Sequence, residues 1–239
     1  MTKILIIVGI LVLGSVLVGA ISFRNQSRLA ELQQAKDRGS IRWHAEVAKA
    51  KGKSEAEIQS SMVYYAVPRN LQEGVDYYHV VVAEPLESRS YPLSDDIRTW
   101  YKFRRIEELS APVRACTSCP TTDSAPPEML PLKADEFLAA QVGGETIVDG
   151  VRITSKDPKF ARFRNGQRYL IFVSFDPQKI VGLFEMGPWG VFVITPQGTL
   201  EPIDKKLDHP LRTELAVQFG DNLDRLSAQL RKQAGKAKN

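Results

Sequence analysis

Three short apolar runs separated by turn residues form the strongest hydrophobic pattern in the chain. They are Tyr169–Val173, Ile180–Met186 and Val191–Ile194, and Asp176-Pro177 and Gly187–Gly190 separate them. Short runs of β-branched and aromatic residues bounded by Pro and Gly are typical of strands joined by turns. Because these runs are too apolar to alternate with polar residues, we predict central strands of a covered or closed sheet.

Two longer strands are predicted upstream of these runs. Tyr77–Ala83 is rich in β-forming residues and meets Glu84-Pro85, which should end or bend the strand. Ser88–Asp96 is polar and contains Pro92, so we predict a loop or the end of a hairpin there. Ile97–Leu109 places apolar and charged residues on alternating faces and is predicted as one long strand.

A hairpin centred on Asp149-Gly150 is the clearest local prediction. The dipeptide separates two β-branched runs, Thr146–Val148 and Val151–Ile153, and supplies the positive φ angles that a type I′ turn requires. Ala134–Ala140, before this hairpin, is predicted as a helical turn. Roughly five to seven strands of this spacing favour a small β-barrel or sandwich.

Residues 24–66 are predicted to form a broken helical stalk. The spacing of apolar residues predicts a helix over Ile41–Lys51. Ser54 and Glu57 have the spacing of a capping box, in which each side chain accepts a hydrogen bond from the other residue's backbone N–H. A further short helix is therefore predicted at Ser54, and Pro68–Gly74 is predicted as a helical turn or loop.

Residues 204–239 are predicted to form an amphipathic C-terminal helix and a basic tail. Asp208 and Pro210 suit the N-cap and the first turn of a helix. An apolar stripe, interrupted at Gly220-Asp221, contains Leu211, Leu215, Phe219, Leu223, Leu226 and Leu230. We expect this stripe to cover the β-rich domain or the stalk, and a partner helix is the alternative.

The N-terminal residues, 1–23, are predicted to be a transmembrane helix. Ile4–Ile21 contains no charged residue, and a helix of that length spans roughly 27 Å, close to the hydrocarbon thickness of a bilayer. A cleaved secretory signal ending at Val18–Ala20 is the alternative. The basic residues that follow favour a cytoplasmic chain, whereas a short N-terminus before an apolar segment is typical of an export signal. We favour a single-pass membrane protein with an extracytoplasmic domain, secreted if the segment is cleaved.

The charges are unevenly distributed along the chain. The net charge is +4, and residues 63–203 carry fifteen Lys and Arg against eighteen Asp and Glu. The basic excess therefore comes from the two ends. A nucleic-acid partner would need basic residues clustered on the folded domain, so we predict no nucleic acid. Basic residues beside an apolar segment fit a membrane partner better, and the alternative is that they are solvated helix faces without a partner.

Four segments resemble a widespread class of exported bacterial domains of unknown activity. Their sequences are VDYYHVVVAEPLES, DIRTWYKFRRIEEL, GGETIVDGVRI and FRNGQRYLIFVSF, and the likeness covers about residues 70–195. The strand plan is also similar to the OB-like barrel of netrin-type modules. The resemblance implies a mainly β (α+β) fold in which residues 67–203 form a small OB-like barrel or sandwich. The chain lacks the cysteine-led N-terminus of netrin-type modules, so no inhibitory role is implied.

A Pro-rich insertion over residues 110–131 contains the two cysteines of the chain, Cys116 and Cys119. We predict a structural disulfide or an exposed pair, with inert thiols, a redox pair or half of a metal site as alternatives. Pro120 stands where a c-type haem motif needs His. A zinc site needs two more ligands, but the chain's histidines are single and scattered: His44, His79 and His209. We predict no metal and no cofactor.

The sequence contains no recognised catalytic motif. His79 lies in an apolar strand and is predicted to be a satisfied core or edge histidine. Glu107 and Glu108 are neighbours on a strand, so their side chains should face opposite sides. Pro188 and Trp189 form a candidate binding loop, and core packing beneath the turn is the alternative.

We therefore predict a membrane-anchored, non-enzymatic binding or scaffold module of the cell envelope with an extracytoplasmic protein partner. Two other classes stay open. One is a thiol-disulfide or metal-dependent protein that uses Cys116 and Cys119. The other is a hydrolase whose site the sequence does not reveal.

Overall fold

The computed structural model describes residues 26–59, 65–112, 125–157, 160–206 and 210–236. The predicted anchor, Ile4–Ile21, lies outside these ranges, and so do Cys116 and Cys119. Within the described ranges, no helix has the length and apolar character needed to cross a membrane.

The described chain contains five α-helices and ten strands. The helices are α1 (residues 26–33), α2 (Ile41–Ala50), α3 (Leu71–Tyr77), α4 (Pro210–Phe219) and α5 (Leu223–Lys236). The strands are β1 (Glu55–Gln59), β2 (His79–Pro92), β3 (Ile97–Ser110), β4 (Glu136–Val142), β5 (Gly144–Val148), β6 (Val151–Lys156), β7 (Arg168–Phe175), β8 (Val181–Leu183), β9 (Val191–Ile194) and β10 (Leu200–Pro202). The mainly β class with flanking helices is confirmed.

The chain divides into two compact units, each built from separate stretches of sequence. The smaller unit takes its described residues from 1–61, 92–97 and 144–155, and the larger unit takes the others. The smaller unit contains a three-stranded sheet of order β1-β6-β5. Its buried apolar core joins α2 to this sheet through Ile41, Ala45, Ala48, Ile58, Val151 and Ile153, with Ile97.

The predicted helix at Ser54 is wrong, because this segment forms strand β1. The carbonyl oxygen of Ser54 accepts a hydrogen bond from the N–H of Arg152 at 2.9 Å, at the start of the pairing between β1 and β6. Ile58 is buried, with 4% of its surface exposed, among the side chains beneath α2. Burial and strand pairing therefore outweigh the local capping pattern. The neighbouring helix, α2, is confirmed, and Ser40 caps it by accepting a hydrogen bond from the N–H of Trp43 at 3.1 Å.

The larger unit contains a seven-stranded sheet of order β10-β9-β7-β2-β3-β4-β8. β8 runs parallel to β4 and antiparallel to β7, so it pairs with two strands. Successive residues of a strand point to opposite faces, and the two faces of β2 and β7 bury different sets of side chains. One face packs beneath α4 and α5, which confirms that the C-terminal apolar stripe covers the sheet. The other face is rich in aromatic rings, including those of Tyr101, Phe103, Phe137, Phe163, Phe175 and Phe184.

Three predicted boundaries in this unit are wrong. β2 continues through Glu84-Pro85 to Pro92, so the loop or hairpin end expected over Ser88–Asp96 begins only after Pro92, where the chain turns into β3. Ala134–Ala140 is not helical but leads into β4, which pairs with β3 on one side and β8 on the other. Both faces of β4 are covered, so its run of fully buried residues mimics a helical pattern. Of the predicted run Ile180–Met186, only Val181–Leu183 is a strand.

Candidate binding pocket around Arg105

A pocket of about 570 Å³ lies beside the C-terminal half of β3, between the segment that precedes β4 and the turn that precedes β8. One part of its lining is apolar and the other is polar and mostly cationic. The apolar residues are Leu130, Pro131, Leu132, Ala134 and Ile180. The polar residues are Arg105, Lys133, Glu136, Gln178 and Lys179.

Arg105 lies in the polar part of this lining. Its guanidinium carbon is 4.9 Å from the ring centroid of Phe175 and 5.6 Å from that of Phe137, so cation–π contacts hold the planar group in place. Its Nη2 donates to the carbonyl oxygen of Lys179 at 3.1 Å. Its Nε is buried and has no hydrogen-bond partner. The protein therefore orients the guanidinium but does not supply an acceptor for its Nε–H.

The turn that presents the Lys179 carbonyl is fixed by Asp176. Oδ1 of this buried carboxylate accepts hydrogen bonds from the N–H of Ile180 at 2.6 Å and of Val181 at 2.8 Å. Lys179 itself has a φ of 59°, a left-handed conformation that is uncommon for residues other than Gly, Asn and Asp. The Asp176 hydrogen bonds therefore fix the conformation of the turn and the position of the Lys179 carbonyl.

Glu108 joins this turn to the beginning of β2. One carboxylate oxygen lies 2.6 Å from His79 Nδ1, and both oxygens lie 2.9 Å from Lys179 Nζ. The His79 hydrogen bond, opposed in part by burial and helped by Lys179, lowers the pKa of Glu108 to about 2. Glu108 is therefore ionised at neutral pH and holds both neighbours by charge-assisted hydrogen bonds.

Lys133 and Glu136 complete the polar lining. Glu136 accepts from the Lys133 N–H at 3.1 Å, and its other oxygen lies 3.7 Å from Lys133 Nζ. The Glu136 side chain is only 8% exposed, whereas that of Lys133 is 82% exposed. Glu136, the one carboxylate in the lining, is thus directed towards Lys133 on the segment that precedes β4.

A second pocket, of about 440 Å³, lies beside α5. An ion pair between Glu107 and Arg231 borders it, and Asp224 and Arg168 add one charge of each sign to the lining. The charges of this pocket are therefore balanced, unlike those around Arg105.

Two of the predicted site residues, Pro188 and Trp189, lie apart from the Arg105 pocket lining, and the other two, Cys116 and Cys119, lie outside the described residues. Pro188 is buried, and Trp189 is half-buried with its ring centroid 6.0 Å from that of Tyr65. The burial of Pro188 agrees with the alternative of core packing beneath the turn. His44 stacks edge-on against Trp43, and burial lowers its pKa.

His79 and the two carboxylates behave as expected from the strand pattern, and His209 lies outside the described residues. His79 is satisfied by Glu108, while Glu107 on the opposite face pairs with Arg231. Within the described part of the chain, no three His, Cys, Asp or Glu side chains converge to hold a metal.

Sequence reasoning missed Arg105, Lys179 and the pocket between them. The only local signal was the Arg104-Arg105 pair, in which one residue had to face inwards if the strand alternates. Arg104 faces solvent and pairs with Glu84 at 2.6 Å, and Arg105 is the inward residue.

Comparison with known proteins identifies no relative: no family model, no curated protein and no solved structure matches the chain. The likeness to exported bacterial domains therefore stays a prediction from the strand pattern.

Proposed function

We propose that this chain is a membrane-anchored, non-enzymatic binding or scaffold module of the cell envelope, which contacts an extracytoplasmic partner through the Arg105 pocket. The observation that carries the proposal is the state of Arg105. Two aromatic rings orient its guanidinium, yet its buried Nε has no acceptor and, among the described residues, it forms no ion pair. An oriented but incompletely satisfied donor beside an apolar wall is what a binding pocket offers a ligand.

The ionisation of Glu108 supports a structural role for this carboxylate beside the pocket rather than a role in acid–base chemistry. A general acid or base works best with a pKa near the working pH. The pKa of Glu108 lies at about 2 because His79 and Lys179 stabilise its charged form. Its carboxylate orders the turn before β8 and, through it, the pocket.

An OB-like barrel is the proposed form of the scaffold. Pairings run from β7 to β2, β3, β4 and β8 in succession, and β8 pairs again with β7. Five strands paired in this cyclic order support a small five-stranded barrel. OB-like barrels commonly bind their ligands with one face and the adjoining loops, and the Arg105 pocket involves loops beside β4 and β8.

The location is proposed from the sequence. Ile4–Ile21 supplies the anchor and the export signal, and residues 67–203 form the domain that faces the partner. We further propose that Cys116 and Cys119 form a structural disulfide, which an extracytoplasmic location allows.

Capture of partners from native membranes tests this function. The full chain with a tag on Asn239 is solubilised in a non-ionic detergent, and captured proteins are compared between the wild type, Arg105→Met and Arg104→Met. Arg104 is a matched control, because it has the same charge on the same strand but faces solvent. We expect a partner that Arg105→Met loses and Arg104→Met keeps.

Two further measurements accompany the capture. Protease should remove the Asn239 tag from intact spheroplasts, and protection of the tag would contradict the extracytoplasmic location. Replacing both cysteines by Ser should leave capture unchanged if the pair is only structural. Capture that does not change with Arg105→Met would contradict binding through this pocket.

A further inference from the structure

We propose that the Arg105 pocket binds a carboxylate attached to an apolar group. This inference rests on the proposed binding function and names its ligand class. Two sources would present this chemistry: the C-terminus of a polypeptide that ends in an apolar residue, and a small aliphatic carboxylic acid.

Arg105 provides the recognition of the carboxylate. A guanidinium has five N–H donors in a fixed plane, and among the described residues one of them has an acceptor, the Lys179 carbonyl. The rings of Phe137 and Phe175 hold the plane, so little side-chain entropy is lost when a ligand binds. Arginine pairs with carboxylates through two parallel hydrogen bonds, which are among the stronger polar contacts in proteins.

The charges around Arg105 favour an anion. Lys179 is already neutralised by Glu108, at 2.9 Å from both of its oxygens. Glu136 is turned onto Lys133. The charge of Arg105 is thus the one in this lining that no carboxylate of the described chain compensates, and a single negative charge would balance it.

The apolar wall determines what the carboxylate must carry. Leu132 and Ile180 are half-buried and Leu130 is exposed to 36% of its surface, so they offer an apolar surface that water now covers. An aliphatic side chain placed on it would gain about 25 cal/mol for each Å² removed from water. A phosphate would suit a more cationic and less apolar lining. The volume of about 570 Å³ fits one or two residues in an extended conformation.

Ligand-observed NMR on the full chain in non-ionic detergent tests the ligand class. The probes are N-acetyl-Ala-Ala-Val with a free C-terminus, the same peptide as its C-terminal amide, and pentanoate. We expect saturation transfer to the valine methyl groups of the acid, and an affinity for the amide at least about tenfold weaker, since the ionic hydrogen bonds are lost. Arg105→Met should reduce binding of the acid by a similar factor, and Arg104→Met should not.

The two sources are separated by pentanoate. Pentanoate that binds as tightly as the peptide acid identifies a small carboxylic acid as sufficient, and much weaker binding identifies a polypeptide C-terminus. Equal binding of the acid and the amide, or no binding of any probe, would overturn the inference.

A second variant keeps the test valid if Arg105→Met does not fold. Leu130→Asp places a negative charge on the exposed part of the apolar wall, where folding should tolerate it. It should weaken binding of the acid at least about tenfold, and by a larger factor than binding of the amide, which loses only the apolar contact. Unchanged binding of the acid to Leu130→Asp would count against the pocket. If no probe binds but Arg105→Met still abolishes partner capture, the ligand class is wrong and the binding function stands.

Discussion

Lys179 Nζ lies 2.9 Å from both carboxylate oxygens of Glu108, and these two residues join the turn before β8 to the end of β3. The same residue accepts the hydrogen bond from Arg105 through its backbone carbonyl. Lys179 therefore connects a structural ion pair with the candidate binding pocket. A substitution that breaks the Glu108–Lys179 pair should therefore lower the free energy of unfolding and also disturb the position of the Lys179 carbonyl in the pocket.

Replacing Glu108 with Gln should destabilise the protein by on the order of 2 kcal/mol at pH 7, after allowance for solvent screening at Lys179. The pKa of Glu108 is lowered from 4.5 to about 2. A lowered pKa contributes stability that is complete above 4.5 and is lost as the pH falls towards 2. The difference between wild type and Glu108→Gln should therefore shrink across this interval. Urea unfolding at pH 7, 4.5 and 3, followed by tryptophan fluorescence, measures it.

Glu107→Gln is the matched control for this prediction. Glu107 is the neighbouring carboxylate, but its partner Arg231 is 62% exposed, and exposed pairs contribute less than about 1 kcal/mol. Equal losses for the two variants, or a difference for Glu108→Gln that does not change with pH, would show that the Glu108 cluster is not the source of the stability.

Ser155→Ala should destabilise the smaller unit by about 1–3 kcal/mol, because it removes a hydrogen-bond donor from a buried acceptor, Asp96 Oδ1. Asp96 is 5% exposed, and its Oδ1 accepts from Ser155 Oγ at 2.6 Å and from the Ile97 N–H at 2.7 Å. Thr154→Ala is the control, since the neighbouring side chain faces the other side of β6. Unfolding in guanidinium chloride gives the free energy of unfolding of both variants. A larger loss for Thr154→Ala than for Ser155→Ala would refute the role of Ser155.

Ile58→Ala should cost about 2–4 kcal/mol, the usual range for truncating a buried aliphatic residue. Ile58 lies in β1 with its side chain in the core beneath α2, whereas Gln59 next to it is exposed. Gln59→Ala should therefore leave the unfolding midpoint almost unchanged. If both variants are equally mild, this segment does not contribute to the core as a strand.

Gly182→Ala should destabilise the larger unit by about 1–3 kcal/mol through overpacking. A Cβ atom at this position would lie 2.7 Å from Val173 Cγ2, on the neighbouring strand. Shortening that neighbour should relieve the clash, so Gly182→Ala should cost less in a Val173→Ala background. Thermal unfolding of the two single variants and the double variant gives the coupling free energy, and strict additivity would disprove the proposed contact.

The strands that could be predicted from sequence are those whose signals are local. Asp149 and Gly150 have φ angles of 50° and 80°, as the hairpin prediction requires. The end of α4 at Phe219, just before Gly220, and the strand at Val191–Ile194 also follow from Gly and Pro residues nearby in the sequence. In contrast, β1 depends on Ile58 being buried by α2 and β6, and no pattern within residues 54–59 reports that.

The candidate pocket could not be predicted for a related reason. His79, Glu108 and Lys179 are distant in sequence, and only the order of strands brings them together. The alternation of β3 did indicate that Glu107 and Glu108 face opposite sides, and it implied that one of Arg104 and Arg105 faces inwards. Arg105 is in step with Tyr101 and Phe103 along the strand, and the pairing of Phe103 with Phe137 places that face on the aromatic core.

The short strand β8 has a consequence for the order in which the sheet is completed. It pairs in parallel with β4 through Leu138 and Val181, and a parallel contact between distant residues forms slowly because a long loop must first close. Until β8 docks, β4 keeps an open edge with unpaired backbone N–H and C=O groups. During folding, this edge should therefore be a place where a second copy of the chain can pair and start aggregation.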